Sequence, residues 1–276
     1  MTTRLAVLGS PIAHSKSPAL HRAAYDVLGL DWEYDAIEVQ DGGLATFLDG
    51  LDASWLGLSL TMPLKREVLP LLDGRSPLAG EVGAANTVLL RDGRREGFNT
   101  DVSGIIGAFR EAGVEALDSV QVLGAGATAA SVLAAVSRLG ASRVLVSARD
   151  PDRARKLEPL AERLGLRLTI RPLGVMDRSM IVPDALISTL PGGTPIDMAY
   201  PEEFRQQAVL FDVAYEPWPS TLATSWGDVG GTVISGLTML LHQAVGQVKI
   251  FTTGDPSGDL PGEDDVATAM RAAVGL

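Results

Sequence analysis

A chain of 276 residues with 46% hydrophobic and 21% charged residues has globular proportions and room for one large or two ordinary domains. Its formal net charge of −11 argues against a broad surface for nucleic acid or anionic membrane, although a local basic pocket could still hold a small anion. The absence of cysteine excludes disulfides, thiolate metal sites and thiol nucleophiles, and the three histidines, His14, His21 and His242, have no metal-ligand spacing. The N-terminus lacks the apolar core of a signal peptide and no apolar run approaches a membrane span, so a cytoplasmic protein is expected.

In chain order, residues 4–9 read as a buried strand, followed by a loop over 10–16. Ser17-Pro18 marks a helix start, with serine as N-cap and proline at the first helical position. Leu20, Ala23, Ala24, Val27 and Leu28 form that helix's apolar stripe, and Gly29 ends it. A second strand spans 32–39, a second helix 43–51 and a third strand 55–60. Thr61-Met-Pro-Leu-Lys65 then enters a helix that stops near Pro70. Residues 86–90 and 94–98 form a hairpin around Asp92-Gly93, a type I′ turn signal. This order predicts a largely parallel sheet, with the hairpin adding antiparallel pairing at its edge.

Several polar groups here have more than one reading. Ser15 and Ser17 flank Lys16 just past the C-terminal end of the first strand, where open α/β sheets bind ligands. Paired hydroxyls beside a helix start suit a carboxylate, while Ser17 alone is equally well a plain N-cap. Thr61 and Lys65 sit between the third strand and its helix. A lysine in the first helical turn opposes the macrodipole, which favours loss of its proton and suits acid–base chemistry. The other reading of Lys65 is a solvated charge beside Arg66 and Glu67. Asn86 begins a strand, where asparagine is disfavoured. Asp101 follows the hairpin and starts a helix, so it is also a candidate N-cap.

Four blocks carry a resemblance: Gly9-Ser-Pro-Ile-Ala-His-Ser-Lys-Ser-Pro18, Thr61-Met-Pro-Leu-Lys65, Gly83-Ala-Ala-Asn-Thr87 and Gly97-Phe-Asn-Thr-Asp101. In order and spacing they resemble the shikimate dehydrogenase family. The resemblance implies that Ser15 and Ser17 hold the substrate carboxylate and that Thr61, Lys65, Asn86 and Asp101 surround its ring hydroxyls. It also implies that Lys65 and Asp101 are the catalytic pair. Where the family often reads Asn-Val-Thr, this chain has Ser59-Leu60-Thr61, a departure that touches none of these residues.

Residues 102–112 read as a linking helix stopped by Gly113. Residues 120–131 then run from an apolar strand through a tight turn into an alanine-rich helix, in the pattern G-x-G-x-x-A. Gly124 would supply a positive φ, Gly126 a close approach to a pyrophosphate, and Ala129 tight helix–strand packing. Ala125, Ala127 and Thr128 complete the turn, whose free N–H groups would face the anion. An ordinary strand–helix turn is the alternative. The next strand, 143–147, ends at Ala148-Arg149-Asp150. An acid there would bond the ribose of NAD, whereas Arg149 and Arg153 suit the 2′-phosphate of NADP. The family often reads Asn-Arg-Thr at this point; Asp150 could instead cap the helix beginning at Pro151, and the two arginines could be a solvated face.

Further strands span 167–171, 185–189 and 209–213. The loop Thr189-Leu-Pro-Gly-Gly193 would border the nicotinamide. The segment from Asp212 resembles the family's Asp-x-x-Tyr-x-Pro, which implies that Val213 lies near the nicotinamide and Tyr215 near the substrate. Tyr215 reads nearly as well as a half-buried structural phenol. A long helix after Gly236 carries a stripe of Leu237, Leu240, Leu241, Ala244, Val245 and Val248, with Gln243 at its edge as a boundary residue. Its resemblance to the family's closing helix implies that Gln243 contacts substrate and that Gly236 and Met239 approach the cofactor. A final helix covers 264–274.

The expected fold is therefore α/β in two domains: a substrate domain over 1–101 with a mostly parallel sheet, and a Rossmann-type NADP-binding domain over 102–235. By the resemblance, helices in 236–276 return to the first domain and the substrate cleft lies between domains. The activity it implies is reversible NADP-dependent reduction of 3-dehydroshikimate to shikimate, without a metal, by a monomer or homodimer. The competing readings are an NAD-using quinate/shikimate dehydrogenase, a folate dehydrogenase with a lysine acid, and a dinucleotide sensor without catalysis.

Overall fold

Strands whose successive side chains face opposite ways can bury both faces of a sheet, and the first strand does so. Leu5 and Val7 enter one apolar core while Ala6 and Leu8 enter another. The computed structural model describes residues 2–174, 182–196 and 198–276. It divides into two compact units, Met1–Gly104 with Leu240–Leu276, and Ile105–Met239. Among the described residues no helix is long and apolar enough to cross a membrane.

In the first unit, β1 (Thr3–Gly9), α1 (Ser17–Leu28), β2 (Trp32–Glu38), α2 (Leu44–Asp49) and β3 (Trp55–Leu60) lead to α3 (Leu64–Glu67). β4 (Gly74–Arg75), α4 (Pro77–Val82) and the hairpin β5 (Thr87–Arg91) and β6 (Arg94–Phe98) follow, and α5 (Asp101–Glu111) begins in this unit and continues into the second. β2, β1 and β3 pair in parallel, and the sheet order is β2-β1-β3-β5-β6-β4. The turn has φ of 53° at Asp92 and 72° at Gly93, as a type I′ hairpin requires. The hairpin is not the edge, contrary to the expectation from sequence. The two-residue strand β4 pairs outside β6 and takes that place. A segment this short carries no alternation from which a strand could be read.

The second unit contains β7 (Ser119–Leu123), α6 (Ala127–Arg138), β8 (Arg143–Ala148), α7 (Pro151–Ala154), α8 (Glu158–Arg163), β9 (Arg167–Pro172) and β10 (Ala185–Ser188). α9 (Glu202–Gln207), β11 (Val209–Asp212), α10 (Thr221–Gly227) and β12 (Val233–Ser235) follow. All pairs are parallel, in the order β12-β11-β10-β7-β8-β9. This is the doubly wound order in which ligands bind where the winding reverses, here between β7 and β10. From sequence alone the three-residue β12 reads only as a lead-in to a helix.

The last elements are α11 (Gly236–Thr253) and α12 (Glu263–Val274). Within the first unit, Leu241, Ala244, Val248 and Phe251 of α11 and Val266 and Met270 of α12 share a core with Leu5, Val7, Leu20 and Leu89. Gly57 of β3 allows the approach of α11. A Cβ built there would lie 2.5 Å from Phe251 Cε1 and 2.9 Å from the Val88 carbonyl oxygen. Gly57→Ala is therefore expected to destabilise the protein by about 1–3 kcal/mol, as a lower urea midpoint at unchanged m-value.

Candidate active site

Lys65 is the second residue of α3, and its backbone carbonyl accepts from Ala85 N at 2.8 Å, which ties this helix to the residue before Asn86. Asn86 precedes β5. Its backbone N–H donates to Phe98 O at 3.0 Å and its carbonyl accepts from Leu60 N at 2.7 Å, so it is locked between β3 and β6. Asp101 opens α5, separated from β6 only by Asn99 and Thr100. Three residues far apart in sequence are thus carried together by one run of strand pairing.

Lys65 Nζ donates to Asp101 Oδ2 at 2.7 Å, with side-chain exposures of only 12% and 3%. Asn86 Nδ2 donates to the other carboxylate oxygen at 3.0 Å, and also lies 2.8 Å from Thr100 Oγ1 and 3.0 Å from Gln243 Oε1. Asn86 Oδ1 accepts from Thr100 N at 2.8 Å. Gln243 is buried, so its reading as a boundary residue is corrected: it lies within this polar group.

Two capping readings also fail. Asp101 is the first residue of its helix rather than its N-cap, and Val102 N is met by Asn99 Oδ1 at 3.3 Å. This leaves the Asp101 carboxylate for Lys65 and Asn86. α1 begins at Ser17 itself, with Lys16 at the cap position and no side-chain cap bond. Ser17 is buried, and its N–H donates to Ser15 Oγ at 3.3 Å. The structure records no direct hydrogen bond from Ser15, Ser17 or the Thr61 hydroxyl to the Lys65–Asp101 group.

A second buried network lies behind Asn86. Gln247 Nε2 donates to Asn86 O and to Thr87 Oγ1, each at 3.1 Å. Gln247 Oε1 lies 3.0 Å from Ser59 Oγ and 3.1 Å from His21 Nε2. Tyr34 OH donates to Ser59 Oγ at 2.7 Å, and the Tyr34 ring stacks on His21 with centroids 4.0 Å apart. The other His21 nitrogen meets Tyr25 OH at 3.1 Å. Burial holds His21 neutral down to about 3, although the Gln247 bond acts the other way, and burial raises the phenols of Tyr25 and Tyr34. Nothing local in the sequence marks Thr87, Thr100 or His21 as members of these networks, and the one signal for Gln247 is that it lies one helical turn after Gln243 on the same face.

In the second unit, Gly124 has φ of 104° and follows β7. Thr189 Oγ1 donates to Leu123 O at 2.8 Å, bridging β7 to the end of β10 at the reversal of winding. Gly126 is extended, and a Cβ there would meet nothing within 4 Å. Ala127 and Thr128 open α6, whose start has no side-chain cap, and Ala129 is fully buried. Open space at Gly126, at the start of a 12-residue helix that no side chain caps, leaves room for a pyrophosphate beside Ala125. Arg149 and Arg153 are exposed, and among the described residues neither guanidinium is in an ion pair. Asp150 caps α7 through Arg153 N at 3.0 Å.

Gly236 packs directly on the Val213 backbone, where a Cβ would clash with the Val213 carbonyl, and Met239 is buried nearby in the chain. Asp212 accepts from Ser220 Oγ at 2.6 Å and Ala214 N at 3.2 Å, folding the loop that carries half-buried Tyr215. Burial pushes the Asp212 carboxyl above its ordinary range, against the effect of those bonds.

The strand order and glycine turn of the second unit place the chain among two-domain α/β proteins with a Rossmann-type dinucleotide fold. Comparison with known proteins narrows this. A family model of the shikimate dehydrogenase substrate binding domain matches residues 7–88. The shikimate dehydrogenase (NADP(+)) of Methanothermobacter thermautotrophicus is 33% identical over 263 residues, covering 92% of each chain. The structure of Mycobacterium tuberculosis shikimate dehydrogenase is 36% identical with a TM-score of 0.81, covering 98% of this chain and 99% of that one. Thermus thermophilus shikimate 5-dehydrogenase, solved in complex with NADP(H) and shikimate, is 33% identical with a TM-score of 0.80, covering 99% and 100%. The chain belongs to the shikimate dehydrogenase family.

The buried imidazole makes stability depend on pH. The unfolded chain protonates His21 near its ordinary 6.5, whereas the folded chain does so only at about 3. The contribution is complete above 6.5 and is lost as pH falls towards 3, by about 1.4 kcal/mol per unit. Denaturant titrations between pH 4 and 6 should therefore give a slope steeper by about that amount than in His21→Gln.

Proposed function

We infer that the protein catalyses the reversible NADP-dependent reduction of 3-dehydroshikimate to shikimate, with Lys65 and Asp101 as its acid–base pair. The observation that carries this reading is the part-buried 2.7 Å contact between the Lys65 ammonium and the Asp101 carboxylate. When bound, NADPH supplies the hydride for the ring carbonyl carbon. Lys65 Nζ donates its proton, or a hydrogen bond, to the oxygen on which negative charge develops. Asp101 holds that ammonium in place while Asn86 satisfies its second oxygen. Ser15 and Ser17 hold the substrate carboxylate, and Thr61, Asn86, Asp101, Gln243 and Tyr215 recognise the rest of the ring.

The residues of the second unit fit the cofactor. Gly124, Ala125, Gly126, Ala127 and Thr128 take the pyrophosphate, and Arg149 and Arg153 the 2′-phosphate. Thr189, Val213, Gly236 and Met239 border the nicotinamide. Two features favour NADP over NAD: β8 ends in Ala148 rather than an acid, and the Asp150 carboxylate is engaged in capping α7. The setting we assign is the cytoplasm, and the active species a monomer or homodimer.

A spectrophotometric comparison of shikimate with quinate, and of NADP with NAD, tests the reading. Turnover of shikimate with NADP should dominate, and preferential use of quinate with NAD would overturn it. Lys65→Ala is expected to lower kcat by about 100-fold or more with little change in KM, and a near-normal kcat would reject the lysine's role. The double variant Arg149→Gln/Arg153→Gln should raise KM for NADP about tenfold or more while leaving KM for NAD unchanged.

A further inference from the structure

We propose that Thr87 and Gln247 are positioning residues for this reaction: together they fix the Asn86 carboxamide with its nitrogen turned to the Asp101 carboxylate. The inference rests on the catalytic reading above and extends it to groups outside the substrate and cofactor contacts. It follows from which atoms can only donate and which can only accept.

The Asn86 backbone carbonyl can only accept, so the Gln247 atom 3.1 Å away is the amide nitrogen. The second Gln247 N–H is then directed at Thr87 Oγ1, also at 3.1 Å. Gln247 Oε1 accordingly faces Ser59 Oγ and His21 Nε2 and accepts from both. The neutral imidazole therefore carries its proton on Nε2, and its Nδ1 accepts from Tyr25 OH. With its oxygen occupied as an acceptor from Gln247, Thr87 has its single hydroxyl hydrogen left for Asn86 Oδ1, 3.0 Å away. Asn86 Oδ1 is then held by two donors, Thr87 Oγ1 and Thr100 N. A carboxamide held by its oxygen in this way has its nitrogen on the opposite side, where Asp101 Oδ1 at 3.0 Å is joined by Thr100 Oγ1 at 2.8 Å and Gln243 Oε1 at 3.0 Å. Thr87 and His21 are fully buried and Gln247 is 1% exposed, so water does not compete for these bonds.

Thr87→Val keeps the shape of the side chain and removes its hydroxyl; Thr87→Ser keeps the hydroxyl and removes a methyl. Positioning through the hydroxyl predicts that Thr87→Val lowers kcat/KM for shikimate about tenfold, with Thr87→Ser within about twofold of wild type. A packing role predicts the reverse order, and that order would overturn the proposal. On an Asn86→Ala background, Thr87→Val should have no further effect, because it acts through Asn86; a full tenfold loss there would also overturn it. Gln247→Met, which frees the Thr87 hydroxyl to turn away, should act in the same direction and be equally silent on that background.

A readout independent of turnover is the solvent exchange of the Asn86 side-chain amide protons, followed by NMR. Exchange should be faster in Thr87→Val and Gln247→Met and unchanged in Thr87→Ser; equal rates in all four proteins would overturn the proposal. If the wild-type protein does not oxidise shikimate, the functional reading fails, and the exchange rates still decide whether Thr87 and Gln247 orient Asn86.

Discussion

An ammonium and a carboxylate removed from water are expensive to keep charged, at several kcal/mol per ion even after relaxation. The part-buried Lys65–Asp101 pair is tolerable because both oxygens of its carboxylate have donors. One carboxylate oxygen takes the lysine and the other takes Asn86, while Asn86, Thr100 and Gln243 satisfy one another. Removing one member of such a pair strands the other, at a cost of about 3–5 kcal/mol, whereas a hydrophobic replacement of both is often neutral. Its presence is therefore poorly explained by stability. A charge held ready in a desolvated place is what an oxyanion-stabilising donor requires.

Most of the first unit contributes to placing that pair. The hydrogen bonds of Asn86 to Leu60 and Phe98 put its side chain beside the residue that starts α5. The bond from Ala85 to the Lys65 carbonyl brings in α3, a helix of four residues that packing must hold because it is too short to be stable alone. Beneath them, α11 contributes two glutamines one turn apart. Gln243 joins the charged pair and Gln247 the buried histidine network, so a single helix face supports both layers.

In the second unit the glycine turn has no side chain at Gly126, α6 starts without a side-chain cap, and Arg149 after β8 and Arg153 in α7 have no counter-charge among the described residues. In the function proposed above, the space at Gly126 suits a pyrophosphate and the two guanidinium groups suit a 2′-phosphate. Asp150, which could have repelled that phosphate or bonded a ribose, is instead turned to the start of α7.

Local features were legible in the amino-acid order because their causes are local. The type I′ turn needs two residues that tolerate positive φ, and Asp92-Gly93 supplies them. The glycine turn after β7 follows from the same steric rule, and hydrophobic periodicity was enough for the long helices. Tertiary structure alone decided the rest. Asp101 reads as a helix cap until a lysine 36 residues away is placed 2.7 Å from it. Gln243 reads as a boundary residue until Asn86 arrives from the sheet, and the hairpin reads as an edge until two residues pair outside it. The strength of a local cap or turn depends on neighbours in the chain, whereas the partner of a buried charge depends on which strands pair.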